Sequence, residues 1–78
     1  MKTTRYFDGI RARSDRAGIR DAWIARTLER PQHERMQADG RIRRWARIDE
    51  AGGRWLRVVL LADGETVHNA SFDRGFKP

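Results

Sequence analysis

The sequence predicts an α+β domain in which two N-terminal helices pack on one face of a three-stranded antiparallel sheet. Two observations carry that expectation. Residues 54–62 and 65–72 are β-rich runs on either side of Asp63-Gly64, a pair suited to the positive φ angles of a two-residue type I′ hairpin turn. Upstream, apolar spacing of helical period ends at Pro31, and the residues from Ile42 to Ile48 alternate instead. The 78 residues form a single domain, residues 1–78. So short a chain buries only about 60–65% of its unfolded surface, so a partner protein or a homodimer would add stability.

Residues 1–5 are polar and read either as a short N-terminal edge strand or as a frayed end. Thr4 is a fair N-cap for a first helix reaching about Arg16, with Phe7, Ile10, Ser14 and Ala17 at helical spacing and Ala17-Gly18 closing it. Gly9 within it costs about 1 kcal/mol relative to alanine. The second helix runs from about Arg20 or Asp21 to Arg30 and places Ile24, Ala25 and Leu28 on one face. Asp21 suits its N-terminal end, Arg26 and Arg30 its C-terminal end, and Pro31 stops it. Trp23 lies off that stripe and reads as a half-buried packing residue. Residues 32–39 read as a polar connection carrying an exposed His33, with Asp39-Gly40 turning into the first strand.

In that strand Ile42, Ala46 and Ile48 share one face, and Arg41, Arg43, Trp45 and Arg47 the other. A reversal of three or five residues within 49–53, with a glycine bulge, sets the isoleucines beside Leu56 and Val58; two or four residues would invert the strand. The first choice gathers apolar side chains together. In the hairpin the turn sets the pairs Leu60/Val67, Val59/His68, Val58/Asn69, Arg57/Ala70 and Trp55/Phe72. Leu56, Val58, Leu60 and Val67 then face the core, while Trp55, Arg57, Val59, His68 and Phe72 face outward. Asp73 lies opposite Arg54, and residues 73–78 form a short tail.

Net charge is +6, and of the 17 basic residues all but Lys2 and Lys77 are arginine. A guanidinium offers a planar fork for phosphate and stacks on bases, so the bias points to nucleic acid; GC-rich codon usage is the other reading. The outward face combines Arg41, Arg43, Arg47 and Arg57 with Trp45, Trp55 and Phe72. Arginines for phosphates and flat rings for unpaired bases make a platform for single-stranded RNA. The competing reading is a solvated face whose long arginine stems screen the sheet. His68 could move a proton during attack by a ribose 2′-hydroxyl, and Arg57 could neutralise charge on the phosphorane; a structural strand histidine is the alternative. No metal-ligand spacing, phosphate loop or nucleophile elbow occurs, so no cofactor or metal is expected. The chain has no cysteine, no apolar run near the roughly 18 residues of a membrane span and no signal-like start, which makes the cytoplasm the expected compartment.

Gly18-Ile19, Leu28-Glu29-Arg30-Pro31, Asp39-Gly40-Arg41, Leu56-Arg57-Val58-Val59 and Thr66-Val67-His68-Asn69-Ala70 resemble a group of short bacterial proteins similar to the RelE/ParE and BrnT toxins of toxin–antitoxin pairs. The resemblance spans nearly the whole chain through motifs of low specificity. It implies a RelE-like fold of two helices followed by an antiparallel sheet. It also implies an RNA endonuclease of the mRNA interferase type, acting on free or ribosome-bound mRNA and silenced by a small antitoxin over its basic face. Such toxins tend to keep their basic residues and late histidine at the places of Arg41, Arg43, Arg57 and His68. The chain departs from their pattern in having Lys77 as its one late lysine, Tyr6 as its sole tyrosine, and Tyr6-Phe7 where relatives often have a histidine. The alternative function is a non-catalytic protein-binding module or a gyrase-directed toxin relative.

Overall fold

The computed structural model describes residues 1–13 and 18–78. Helix α1 spans Arg5–Ile10 and α2 spans Asp21–Glu29. Four strands follow: β1 (His33–Met36), β2 (Ile42–Ile48), β3 (Arg54–Leu60) and β4 (Val67–Phe72). They form an antiparallel meander in the order β1-β2-β3-β4. Among the described residues the α+β class and the two helices stand, but the sheet has four strands, not three. No helix of the described residues is long and apolar enough to cross a membrane.

Thr4 caps α1 as expected, its hydroxyl accepting the Phe7 N–H at 3.1 Å. Phe7 and Ile10, three residues apart, bury one side of that helix. The helix does not continue to Arg16 as expected: it ends at Ile10, and residues 11–13 form a turn in which the Arg13 N–H donates to the Ile10 carbonyl at 3.0 Å, while Ser14 and Ala17 fall outside the described residues. Helix α2 starts at Asp21 and ends one residue short of Arg30. It buries Ile24 and Thr27 and sets Trp23 and Leu28 against the core. Thr27 is tolerated there because its hydroxyl donates to the Trp23 carbonyl at 2.9 Å. The lead-in is partly a strand: Thr3 makes a single parallel bridge to Val67, with backbone bonds from Val67 N to Lys2 O and from Thr4 N to Val67 O.

Strand β1 lies where a polar connection was expected. All four of its residues are exposed, so no apolar alternation marks it; it is held by backbone pairing to β2, His33 opposite Trp45 and Arg35 opposite Arg43. Between β2 and β3 the chain reverses in five residues through a short 3₁₀ turn, Asp49–Ala51. That sets Ala46 opposite Leu56 and keeps Ile42, Ala46 and Ile48 on the helix side, as expected.

The last hairpin differs in two ways. Asp63 keeps a negative φ and only Gly64 is left-handed (φ 71), so the turn is not type I′. It runs from Leu61 to Gly64, closed by the Gly64 N–H donating to the Leu61 carbonyl. The Thr66 hydroxyl and N–H, then the Glu65 N–H, donate to the Asp63 carboxylate and hold its pKa down at about 2. Leu60 still faces Val67, but beyond that rung His68 is an extra residue: Val59 pairs with Asn69, Val58 with Ala70, Arg57 with Ser71 and Leu56 with Phe72. The bulge lets both Val67 and Ala70 reach the core, which holds Phe7, Ile10, Ile19, Ile24, Ile48, Leu56, Val58 and Leu60. It also carries Phe72 across to the helix side.

Candidate nucleic-acid interface

The face of the sheet away from the helices is built by alternation. His33 and Arg35 come from β1, Arg43, Trp45 and Arg47 from β2, Trp55, Arg57 and Val59 from β3, and Asn69 and Ser71 from β4. Arg35 and Arg47 are exposed; Arg43 and Arg57 are half-buried. Arg43 Nε donates to Gln37 Oε1 at 2.9 Å, and Arg47 Nε donates to the Gly53 carbonyl at 3.1 Å. Arg41, just before β2, lies 3.7 Å from Asp39. Arg44 stands on the other side, where it donates to the Leu28 carbonyl and pairs with Glu34. The expected arginine row is therefore in place, widened by Arg35.

The rings are arranged differently from expectation. Trp45 is only 3% exposed, because the tail folds back and lays Phe76 flat on it, with centroids 4.6 Å apart and planes at 18°. Phe76 also meets His33 at 5.2 Å and Trp55 at 5.0 Å, and His33 meets Trp55 edge-on at 5.5 Å. Trp45 is thus a covered ring and not an open stacking surface. His33 belongs to the face and is no loop bystander. Trp55 remains half-exposed on the expected side. Phe72 does not: the bulge places it against Trp23 on the helix side, where the Arg54 guanidinium lies over it at 3.8 Å.

Asp73 ties the tail down. Trp45 Nε1 donates to its carboxylate at 3.0 Å, Arg57 Nη1 lies 3.6 Å away, and its N–H donates to the Trp55 carbonyl at 2.9 Å. The partner of Asp73 is therefore Arg57, not Arg54, whose Nε donates to the Ala51 carbonyl instead. Arg57 also donates to Ser71 Oγ at 3.2 Å, while its Nε is buried with no partner. Such an orphan donor in a native face costs stability.

His68 and Arg57 are not brought together. As the bulged residue, His68 turns to α1, where its ring stacks on Tyr6 (4.9 Å, 26°) and Nδ1 lies 3.1 Å from Thr4 Oγ1. Arg57 stands on the far face with Ser71 and Asp73. Tyr6, His33, Arg35, Asp73 and Phe76 are the site residues that pattern reading missed. An aromatic at position 76 in an otherwise polar tail was the one available signal, since such a ring needs cover.

No family model matches the chain, and neither the curated proteins nor the solved structures give a match.

Proposed function

We propose that the chain binds single-stranded RNA along the open face of its sheet. On this reading it is a cytoplasmic protein of the RelE/ParE/BrnT toxin kind, its RNA free or ribosome-bound, with a small antitoxin covering the same face. A row of arginines along one face carries the reading. Arg35, Arg43, Arg47 and Arg57 share one side of the strands, with Arg41 at its corner. Among the described residues, Asp73 is the carboxylate paired to these strand arginines. A row of guanidiniums with so little acid among them attracts a phosphate chain and releases its counterions on binding.

The test is fluorescence anisotropy with a single-stranded RNA oligomer across a salt series. Affinity should fall with a log–log slope of about −0.7 per contacted phosphate. Replacing Arg35, Arg43 and Arg47 by glutamine should weaken binding and shallow that slope, whereas Arg20 and Arg30 on the α2 side should tolerate the same change. A flat salt response, or equal losses in both sets, would remove RNA as the ligand.

The hold on His68 favours a second reading, cleavage of an RNA strand that passes from the arginine face round the β4 edge to the α1 side, where His68 lies. Nδ1 is engaged by Thr4, which leaves Nε2 for a substrate. An imidazole so placed can take the proton of a 2′-hydroxyl as it attacks the adjacent phosphorus, or return one to the departing 5′-oxygen, giving a 2′,3′-cyclic phosphate. Arg57 has no place in that geometry. Cleavage in excess EDTA, with and without ribosomes, should be lost in His68→Ala and kept in Arg20→Gln, a change on the α2 side. Intact RNA in every sample would limit the protein to binding.

A further inference from the structure

Where β3 begins and β4 ends, a pocket of about 240 Å³ opens between Arg54, Trp55, Phe72, Asp73, Arg74 and Phe76. Three of the six lining residues are aromatic and two are arginines. The single carboxylate, Asp73, is already engaged by Trp45 and Arg57. Roughly 300–1,000 Å³ is usual for a drug-sized ligand, so this volume suits one flat ring system.

Two of its walls are held in place. Phe76 is stacked on Trp45, and its N–H donates to the Asp73 carbonyl at 3.4 Å. Phe72 is clamped between Trp23 and the Arg54 guanidinium. Trp55 belongs both to the pocket and to the arginine face, where it stands opposite Arg47 and two residues from Arg57. A strand whose phosphates follow those arginines meets the pocket at the end of the sheet.

We infer that this pocket takes one unpaired nucleobase of a bound single strand, its ring against Trp55 and Phe76 and its flanking phosphate on Arg74. The inference rests on the RNA reading and names where that site reads a base. Ring stacking supplies the affinity and guanidinium charge sets the side from which the phosphate enters.

The experiment uses the full chain and two RNA oligomers identical except at one position, which carries either 2-aminopurine or an abasic sugar. The base-bearing oligomer should bind about tenfold more tightly, with the 2-aminopurine fluorescence quenched on stacking. Phe76→Leu keeps an apolar cover on Trp45 but removes the flat ring, and should abolish both the preference and the quenching. Arg74→Gln, in an exposed residue, should weaken the base-bearing oligomer with the melting midpoint unchanged. Equal affinity for the two oligomers, or a preference indifferent to both substitutions, overturns the pocket while leaving the RNA reading intact if the Arg35, Arg43 and Arg47 variants still weaken binding. Absence of binding to either oligomer overturns both readings. Free mononucleotide binding as tightly as the oligomer, or a phosphotyrosine peptide competing better than RNA, overturns the assignment to a strand.

Discussion

Replacing Asp73 by alanine tests whether the tail is part of the fold. The carboxylate accepts the Trp45 indole N–H at 3.0 Å and faces Arg57 at 3.6 Å; its side chain is 19% exposed and that of Arg57 is 28% exposed. A hydrogen bond to an ionised acceptor contributes about 1.5–3 kcal/mol net. The longer, partly screened ion pair adds at most about 1 kcal/mol. Asp73→Ala should therefore cost about 2–3 kcal/mol, because it also strands the indole N–H beneath Phe76. In a domain of this size that lowers the melting midpoint by roughly 10–20 °C. Asp73→Asn keeps an oxygen for the indole and loses only the charge, and should cost roughly half as much. Thermal denaturation followed by circular dichroism gives the midpoints, and tryptophan emission should shift to the red as Trp45 loses its cover. A midpoint for Asp73→Ala within about 3 °C of the parent chain refutes the reasoning. Equal losses for alanine and asparagine would show that the charge on Arg57, not the indole bond, holds the tail.

Other expectations follow from the same geometry. Gly9→Ala should raise stability by about 0.5–1 kcal/mol in a thermal melt, since a Cβ there meets nothing within 4 Å inside a helix. Gly53→Ala should lower it by about 1–2 kcal/mol: its φ is +74°, and a Cβ would sit 2.8 Å from Arg47 Nη2. Thr4→Ala should cost about 1 kcal/mol by removing the cap of α1 and the tether of His68, and Thr4→Ser, which keeps the hydroxyl, should recover most of it. The bidentate Arg26 guanidinium, at 2.7 and 3.1 Å, is the main cause holding the Glu50 carboxyl down at about 2 against an ordinary 4.5. Its folded pKa is the lower one, so this contribution is present above pH 4.5 and lost as pH falls through about 2. Glu50→Gln should flatten stability against pH in that window; an unchanged acid limb would place the titration elsewhere.

Much of the fold was legible because local chemistry and burial agree there. Thr4 caps α1, Pro31 follows α2, Asp63-Gly64 marks the last hairpin, and the alternation from Ile42 to Ile48 assigns faces that the sheet keeps. Strand β1 was invisible because a strand held by backbone bonds with every side chain in water has no apolar period to detect. The candidate site was legible in charge but not in its rings. The arginine row follows from period-two alternation within β2 and β3, which is a local property.

What the sequence determined by itself was the inventory and its spacing: a surplus of guanidiniums, their alternation along two strands, the start of α1, the bounds of α2 and the position of the last turn. These depend on a residue and its near neighbours. Tertiary structure alone decided which rings remain open. One extra residue at His68 inverts the facing of everything after it, sending Phe72 to the helices and His68 to Tyr6, because each strand step reverses the side chain. The fold-back of Phe76 onto Trp45 likewise depends on Asp73 meeting an indole 28 residues earlier in the chain, a contact that exists only once β2, β3 and β4 are side by side.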